Sequence, residues 1–246
     1  MKSRIYVPHY KPAKDRKAAL AKQFRLAGIT ECAFVEVYDA EELTDELIDR
    51  FSRNDDAIRQ EKIDLVKSIQ VENMFYADRK PWTQGVDYST PTAEVVPLRK
   101  SEISLSLKHL LAWMDICEKD LDYGILLEDD VIIFPGFTED FDENLKKTPE
   151  DWDMIFFGSG CGFRVPERTT GRGVYKMTPP RVKCTDSYAV SNKAAKKLRD
   201  GLFPITVPID FELQHFAVKH DLSVYWFEPP LILQGSEIGT TPSLIR

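Results

Sequence analysis

The first 37 residues carry two short apolar runs that flank an amphipathic segment. Residues 4–7, Arg-Ile-Tyr-Val, include three β-prone residues and are followed by Pro8, which predicts a first strand. Residues 13–27 repeat apolar positions with a helical period, and Gly28 follows as a helix stop. Residues 32–37 predict a second strand. Strand, helix and strand of these lengths form a βαβ unit, so the two strands should be parallel.

The next stretch, residues 39–98, is less regular. Thr44 is suited to cap a short helix that ends near Phe51, and a charged helical pattern extends over residues 57–74. Prolines and a glycine then punctuate residues 78–99. Long loops inside a domain are usually functional, so we interpret this stretch as a flap beside a site.

Regular periodicity returns at Ser101. An amphipathic helix is predicted from Ser101 to Cys117, and the near-continuous apolar run 123–127 predicts a buried central strand. Further elements are predicted as follows: a strand at 152–157, a strand at 184–190, a helix capped by Ser191 and ending at Gly201, a helix at 208–219 and a strand at 223–227. The glycine-rich residues 158–173 suggest a second mobile loop. This alternation predicts one α/β domain over residues 1–246, and we expect at least one loop to order over a bound ligand.

Composition narrows the classes of partner. The chain has 246 residues and a formal net charge of −7, which argues against binding of nucleic acid through a broad basic surface. The N-terminus lacks the apolar run of a signal peptide, and no apolar run is long enough to span a bilayer. Any membrane contact should therefore be peripheral.

The cysteine pattern bears on compartment. The four cysteines are far apart and lack the spacing of a zinc site, and two of them lie in apolar runs that favour buried, reduced thiols. We therefore expect a reducing compartment and a cytoplasmic location.

The strongest chemical signal is the acidic triplet Glu128-Asp129-Asp130, which directly follows the apolar strand. In open α/β sheets ligands bind at the carboxyl ends of strands. Three adjacent anions repel one another there, and a divalent cation relieves the repulsion because Mg²⁺ and Mn²⁺ prefer oxygen ligands. A solvated acidic turn or a helix cap would explain the same residues, so the triplet alone leaves both interpretations open.

Several motifs together resemble glycosyltransferase family 25, which includes lipopolysaccharide-building transferases and collagen galactosyltransferases. The matching residues are Asp15-Arg16, Ser101-Glu102-Ile103-Ser104, Leu107, His109, Leu127-Glu128-Asp129-Asp130-Val131, the stretch 186–195 and Pro208-Ile209-Asp210. The resemblance covers most of the chain except residues 39–98. Two departures stand out: Ser101 and Ser104 replace the family's glycines, and Lys108 replaces the serine of its Leu-Ser-His stretch.

The resemblance implies a GT-A fold, a single Rossmann-like α/β domain with a mostly parallel sheet. It also implies that the nucleotide of a UDP-sugar donor lies at the sheet's carboxyl edge, beside Val7 and Pro8. Arg16 could reach the nucleotide or serve as a solvated helix cation. Asp129 and Glu128 would contact the donor, with Mn²⁺ or Mg²⁺ held by Glu128 and Asp130.

Glu102 and Asp210 each allow two interpretations, because an acidic side chain near a helix N-terminus is favourable without any functional role. Glu102 is explained by its position at a helix N-terminus, with a donor contact as the second interpretation. His109 lies off the main apolar stripe, and a structural, hydrogen-bonded histidine is expected. Asp210 is the best candidate for a general base, although an acidic residue in a first helical turn needs no catalytic role. Glu212 is the alternative base.

Together these features predict a metal-dependent inverting hexosyltransferase that acts on a hydroxyl of a glycan or glycoconjugate. One alternative is a nucleotidyltransferase that makes sugar nucleotides, but such enzymes carry a glycine-rich basic loop after the first strand. Here that position reads Pro8-His9-Tyr10-Lys11-Pro12. The other alternative is a domain of the same fold that binds a nucleotide sugar or a partner without catalysis.

Overall fold

The computed structural model describes residues 1–73, 97–162, 165, 173–236, 238–242 and 244. Its centre is a seven-stranded sheet made of β1 (Ser3–Pro8), β2 (Cys32–Val35), β3 (Tyr123–Leu127), β5 (Met154–Phe156), β6 (Gly173–Lys176), β7 (Ser187–Ser191) and β8 (Val224–Glu228). The strand order in the sheet is β2-β1-β3-β7-β5-β8-β6. Five of the seven strands run in one direction, while β7 and β6 run opposite to their neighbours. The predicted mostly parallel α/β sheet is therefore confirmed.

Helices cover both faces of the sheet. They are α1 (Lys14–Leu26), α2 (Asp45–Phe51), α3 (Asp56–Asn73), α4 (Lys100–Glu118), α5 (Phe137–Lys147), α6 (Asn192–Gly201) and α7 (Ile209–Lys219). Successive strand residues point to opposite faces, so the sheet divides the interior into two apolar cores. Leu126 belongs to the core under α4, α6 and α7, whereas Ile125 and Leu127 belong to the core under α1 and α5.

Local signals in the sequence account for several boundaries. The Thr44 hydroxyl accepts a hydrogen bond from the Leu47 N–H and caps α2, and Ser191 caps α6 in the same way through Ala194. Gly28, after α1, has φ +71°, a left-handed conformation that favours glycine. The predicted parallel pairing of β1 with β2 is observed, with Ile5 opposite Cys32.

A small second sheet departs from the predicted organisation. Strand β4 (Val131–Ile133) pairs antiparallel with β9 (Ile232–Gln234). Val131 directly follows the acidic triplet, so this pairing holds the end of the chain beside it. Strand β6 begins at Gly173, where the sequence suggested that a mobile loop ends. Most of the predicted flap (78–99) and part of the second loop (158–173) lie outside the described residues.

The cysteines also differ from expectation. Cys32 and Cys117 are free, but Cys184 is disulfide-bonded, so the prediction of reduced thiols is wrong at this position. Within the part of the chain that the structure describes, no helix is long and apolar enough to cross a membrane.

Candidate active site

A cleft of about 640 Å³ opens where β1 and β3 end. Both strands are parallel, so their carboxyl ends reach the same edge of the sheet. The first turns of α4 and α7 form other parts of the wall. Seven of the predicted site residues line this cleft: Pro8, Arg16, Glu102, Glu128, Asp129, Asp130 and Asp210. Two predicted residues, Val7 and Glu212, do not.

Val7 and Glu212 are directed into the protein interior. Val7 is fully buried in the core under α1 and α5, so the nucleotide contact predicted for it is not available to its side chain. Glu212 is also fully buried, and both of its oxygens lie 2.8 Å from Nζ of Lys62. The Thr206 N–H also donates to Glu212. Its carboxylate thus holds α3 to α7 and faces away from the cleft.

Glu128 is the first carboxylate after β3. Its oxygens accept hydrogen bonds from the Thr185 hydroxyl at 2.6 Å and the Gln234 side-chain amide at 3.2 Å. Burial, and after it the charge of Asp130, raises the pKa of Glu128 to about 8. The two carboxylates are therefore close enough to repel each other, and Glu128 would gain from a nearby positive charge.

Asp129 points to the opposite side of the triplet. It accepts hydrogen bonds from Nδ1 of His9 and Nη1 of Arg16, both at 2.7 Å. A carboxylate can only accept, so His9 carries a proton on Nδ1. Burial alone would raise the pKa of Asp129, but the bonds from His9 and Arg16 outweigh it and lower that pKa. Asp129 is therefore an anchored anion that joins β1, α1 and β3.

Asp130 is the most open to a new partner. Its Oδ2 accepts a hydrogen bond from the Ser236 N–H at 3.1 Å, and its main-chain oxygen accepts one from Gly235. Its Oδ1 is buried and has no hydrogen-bond partner among the described residues. A buried carboxylate oxygen without a donor is costly, which makes this atom a candidate ligand for a cation.

These surroundings fit a divalent cation shared with a substrate. Among the described residues, no group of three or more His, Cys, Asp and Glu side chains is arranged to hold a metal unaided. Mg²⁺ commonly takes only one or two carboxylates and completes its shell with water and substrate phosphates. The free Oδ1 of Asp130 and the adjacent Glu128 supply such a pair.

A buried polar network around Lys108 supports the wall of the cleft. Lys108 is 3% exposed, and its ammonium donates to the main-chain oxygen of His9 at 2.6 Å and to Asp39. Asp39 also accepts from the Lys11 N–H. The network fixes the loop after β1 against the loop after β2. Lys108 is visible in the sequence only as a departure from the family pattern. Asp39 was not predicted to belong to the site, although its position beyond β2, at the same sheet edge, was a usable signal.

Helix α4 supplies Glu102 to the wall of the cleft and His109 to the protein interior. Glu102 Oε2 accepts a hydrogen bond from the Arg99 N–H at 2.7 Å, so it caps the helix and also lines the cleft. His109 is fully buried, stacks on Tyr188 and hydrogen-bonds its hydroxyl at 2.8 Å. The structural role expected for His109 is thus the one observed.

Asp210 lies in the first turn of α7, lines the cleft and is partly exposed. Its Oδ1 accepts a hydrogen bond from the Phe211 N–H at 3.0 Å. Burial raises the pKa of Asp210, and the charge of Glu102 raises it further. A held, accessible carboxylate with a raised pKa is suited to accept a proton.

The C-terminal segment closes one side of the cleft. Arg16 reaches from Asp129 to the main-chain oxygen of Pro242, and Ser236 and Leu244 line the wall. The sequence pattern of Pro242 and Leu244 does not indicate which distant residues they contact, so their place at the cleft was not predicted.

Comparison with known proteins assigns the chain to a family. Residues 2–213 match the family model described as "Glycosyltransferase family 25 (LPS biosynthesis protein)". Procollagen galactosyltransferase 2 of Mus musculus is 28% identical over 175 residues, which cover 67% of this chain and 27% of that protein. Procollagen galactosyltransferase 1 of Danio rerio is 25% identical over 154 residues, covering 55% and 25% respectively.

The chain thus spans about a quarter of the length of these curated relatives. Among solved structures, mouse xyloside xylosyltransferase 1 in its apo form aligns with 90% of this chain and 70% of its own, at a TM-score of 0.35 and 11% identity. Because the family model extends over most of the chain, including the acidic triplet and Asp210, the protein belongs to glycosyltransferase family 25.

Proposed function

We propose that the protein transfers a hexose from a UDP-sugar to a hydroxyl group of a glycan or glycoconjugate, with inversion at the anomeric carbon and with help from a divalent cation. The observation that carries this proposal is the convergence in one cleft of Asp130, whose Oδ1 lacks a partner in the described chain, and Asp210. The curated relatives are named galactosyltransferases, so galactose is the first hexose to test.

The charge of the cleft supports a cation together with a diphosphate. Its described lining includes six acidic residues, namely Glu41, Glu102, Glu128, Asp129, Asp130 and Asp210, and four basic ones, namely Arg16, Arg99, Lys100 and Lys108. Anions outnumber cations, so a diphosphate would be repelled from the acidic end unless a metal neutralised it. Glu128 and Asp130 would hold that metal, which would stabilise charge on the departing diphosphate.

The chain's own residues would perform the remaining tasks. Arg16 lies beside the triplet and can offer its guanidinium to phosphate oxygens. Asp210 would accept the proton of the acceptor hydroxyl as that oxygen attacks the anomeric carbon. A hydroxyl is a poor nucleophile at neutral pH, and a carboxylate fixed at the start of α7 can activate it without reorganising.

The test is donor consumption by the whole chain. UDP-galactose and UDP-glucose are incubated with the protein, with Mn²⁺ or with excess chelator, and release of UDP is followed. We expect Mn²⁺-dependent release that Asp130→Asn abolishes. Asp122→Asn is the matched control, because this exposed acid lies at the opposite end of β3 and its carboxylate accepts only the Lys2 N–H among the described contacts.

Three outcomes would count against the proposal. Full turnover in excess chelator would exclude a role for the divalent cation. Tight binding of the nucleotide sugar with no consumption, even with glycan acceptors present, would favour a binding domain of the same fold. Failure to bind any nucleotide sugar would overturn the proposed donor.

A further inference from the structure

The first turn of α4 presents two serine hydroxyls at the wall of the cleft. Ser101 and Ser104 are three residues apart, so their side chains are neighbours on one face of the helix. Both line the cleft, and Ser104 is only 6% exposed. Their place is on the same turn as Glu102, whose carboxylate is held by the Arg99 N–H.

Neither hydroxyl has a hydrogen-bond partner among the described residues. Ser101 Oγ is enclosed and has no hydrogen-bond partner in the described chain. Ser104 Oγ makes no hydrogen bond to any described residue, whereas Ser106 Oγ, on the same helix but outside the cleft, donates to the Glu102 main-chain oxygen at 3.0 Å. Leaving a buried hydroxyl unpaired is unfavourable, so a partner that enters the cleft would restore the missing bonds.

The position of this turn indicates which part of a substrate would meet it. In a single displacement the transferred ring lies between the departing diphosphate and the base that activates the acceptor. The diphosphate would lie at Asp130 and the base is Asp210. Glu102 is close enough to Asp210 for its charge to raise the pKa of that residue, so the α4 turn flanks the same space.

We propose that Ser101 and Ser104 hydrogen-bond hydroxyl groups of the transferred hexose and thereby determine which hexose the enzyme accepts. This inference rests on the proposed function and adds a sugar subsite to it. A serine hydroxyl donates one hydrogen bond and accepts others, as a sugar hydroxyl does, so the two groups can satisfy each other. Leu105 and Phe211 also line the cleft and offer apolar surface to the C–H groups of a ring.

Such a pair discriminates between hexoses by configuration. An epimer directs one hydroxyl elsewhere, which leaves a serine and a sugar hydroxyl unpaired. Sites built to hydrogen-bond a substrate group reject analogues that lack it in the right place. Each neutral hydrogen bond lost lowers affinity by about tenfold.

The experiment compares wild type with Ser101→Ala, Ser104→Ala and the double variant. Dissociation constants are measured for UDP alone and for UDP-hexose epimers with Mn²⁺ present, and kcat/KM is measured for each donor consumed. UDP affinity should change less than about twofold, while affinity for the preferred UDP-hexose falls about tenfold per serine. The kcat/KM ratio between preferred donor and epimer should fall in parallel.

Matched controls separate this role from a structural one. Ser106→Ala removes a buried hydroxyl from the same helix without touching the cleft and should keep the wild-type preference. Alanine favours a helix more than serine does, so the alanine variants should fold. If Ser104→Ala does not fold, Ser104→Cys is a near-isosteric replacement.

An unchanged donor preference and unchanged UDP-hexose affinity in the double variant would overturn the sugar subsite alone. Equal weakening for UDP and for UDP-hexose would also overturn it, because the serines would then act on the nucleotide. If wild type binds no nucleotide sugar, the proposed function fails as well, and that outcome is visible before any variant is made.

Discussion

Glu128, Asp129 and Asp130 are chemically alike, yet their surroundings give them different properties. Asp129 is paired with the guanidinium of Arg16 and hydrogen-bonded by His9, which leaves it as an anchor of the sheet edge. Glu128 has a raised pKa, and Asp130 keeps one oxygen without a donor from the described chain. The sequence predicts the set, because it follows a buried strand. It does not predict the division of roles, which depends on His9, Arg16 and Ser236.

The same contrast applies to Asp210 and Glu212 and leads to a test of the base. Asp210→Asn should lower kcat by roughly a hundred- to ten-thousand-fold, since a general base contributes that much. Donor affinity and melting temperature should change little. Glu212→Gln should instead lower the free energy of unfolding by about 3 to 5 kcal/mol, because it leaves buried Lys62 without its carboxylate.

The pH profile provides an independent check on Asp210. A general base must be deprotonated to act, and burial raises the pKa of Asp210. The acidic limb of the kcat/KM profile should therefore lie at a higher pH than the ordinary pKa of an aspartate. This limb should be absent in Asp210→Asn. Normal turnover in Asp210→Asn, with loss of kcat in the folded fraction of Glu212→Gln, would assign the base to Glu212.

At the scale of elements, the close approach of α4 to β3 brings the cleft wall into place. A Cβ added at Gly124 in β3 would lie 2.3 Å from Ile116 Cδ1 in α4 and 3.1 Å from Tyr6 Cε2 in β1. The absence of a side chain at Gly124 therefore lets the helix lie directly on the strand whose end carries the acidic triplet.

Gly124→Ala should consequently lower the free energy of unfolding by about 1 to 3 kcal/mol, as overpacking of a core does. Adding Ile116→Val removes Cδ1, the nearer of the two clashing atoms, and leaves Cγ1 at 2.7 Å, so it relieves the overlap in part. The double variant should therefore be more stable than the sum of the single effects. Gly173→Ala in β6 is the control, because a Cβ there meets nothing within 4 Å. Chemical denaturation measures the free energy of unfolding of the two single variants, the double variant and the control. Strict additivity of the two substitutions would contradict the proposed contact.

Much of this element structure could be predicted from the sequence. Strand β3 was predicted at its observed bounds, and the caps at Thr44 and Ser191 were identified, because buried runs and capping residues are local signals. The pairing of β4 with β9 was not predicted. Both strands have three residues, too few for a period to emerge, and their pairing joins segments about a hundred residues apart.

At the scale of the whole molecule, the site depends on contacts between distant parts of the chain. The triplet follows β3, Asp210 lies in the first turn of α7, and Ser236 comes from the C-terminal segment. The carboxyl-edge rule predicts where strand ends meet, but it does not predict the approach of α7. The resemblance to a known family predicted Asp210 as a site residue, whereas no sequence pattern indicates the contact between Lys108 and Asp39.

The free energy of unfolding should depend on pH through His109. This residue is fully buried between α4 and β7, and burial lowers its pKa from 6.5 to about 3. Between these values the unfolded chain binds a proton at His109 that the folded chain does not. The stabilising contribution is therefore complete above pH 6.5 and is lost as pH falls towards 3.

His109→Gln should flatten the fall in unfolding free energy over this pH range, by up to about 1.4 kcal/mol per pH unit for one proton. At pH 7 the variant should be less stable than wild type, because the stacking on Tyr188 and its hydrogen bond are lost. The gap should narrow as pH falls. Urea denaturation at several pH values measures both effects. His220→Gln, at the exposed end of α7, is the comparison: burial and nearby lysines lower the pKa of His220 as well, but this residue lies largely in solvent, so its variant should flatten the slope less than His109→Gln does. If His109→Gln shows the same pH slope as wild type, His109 binds its proton equally in the folded and unfolded chain, and the interpretation of a buried neutral imidazole is wrong.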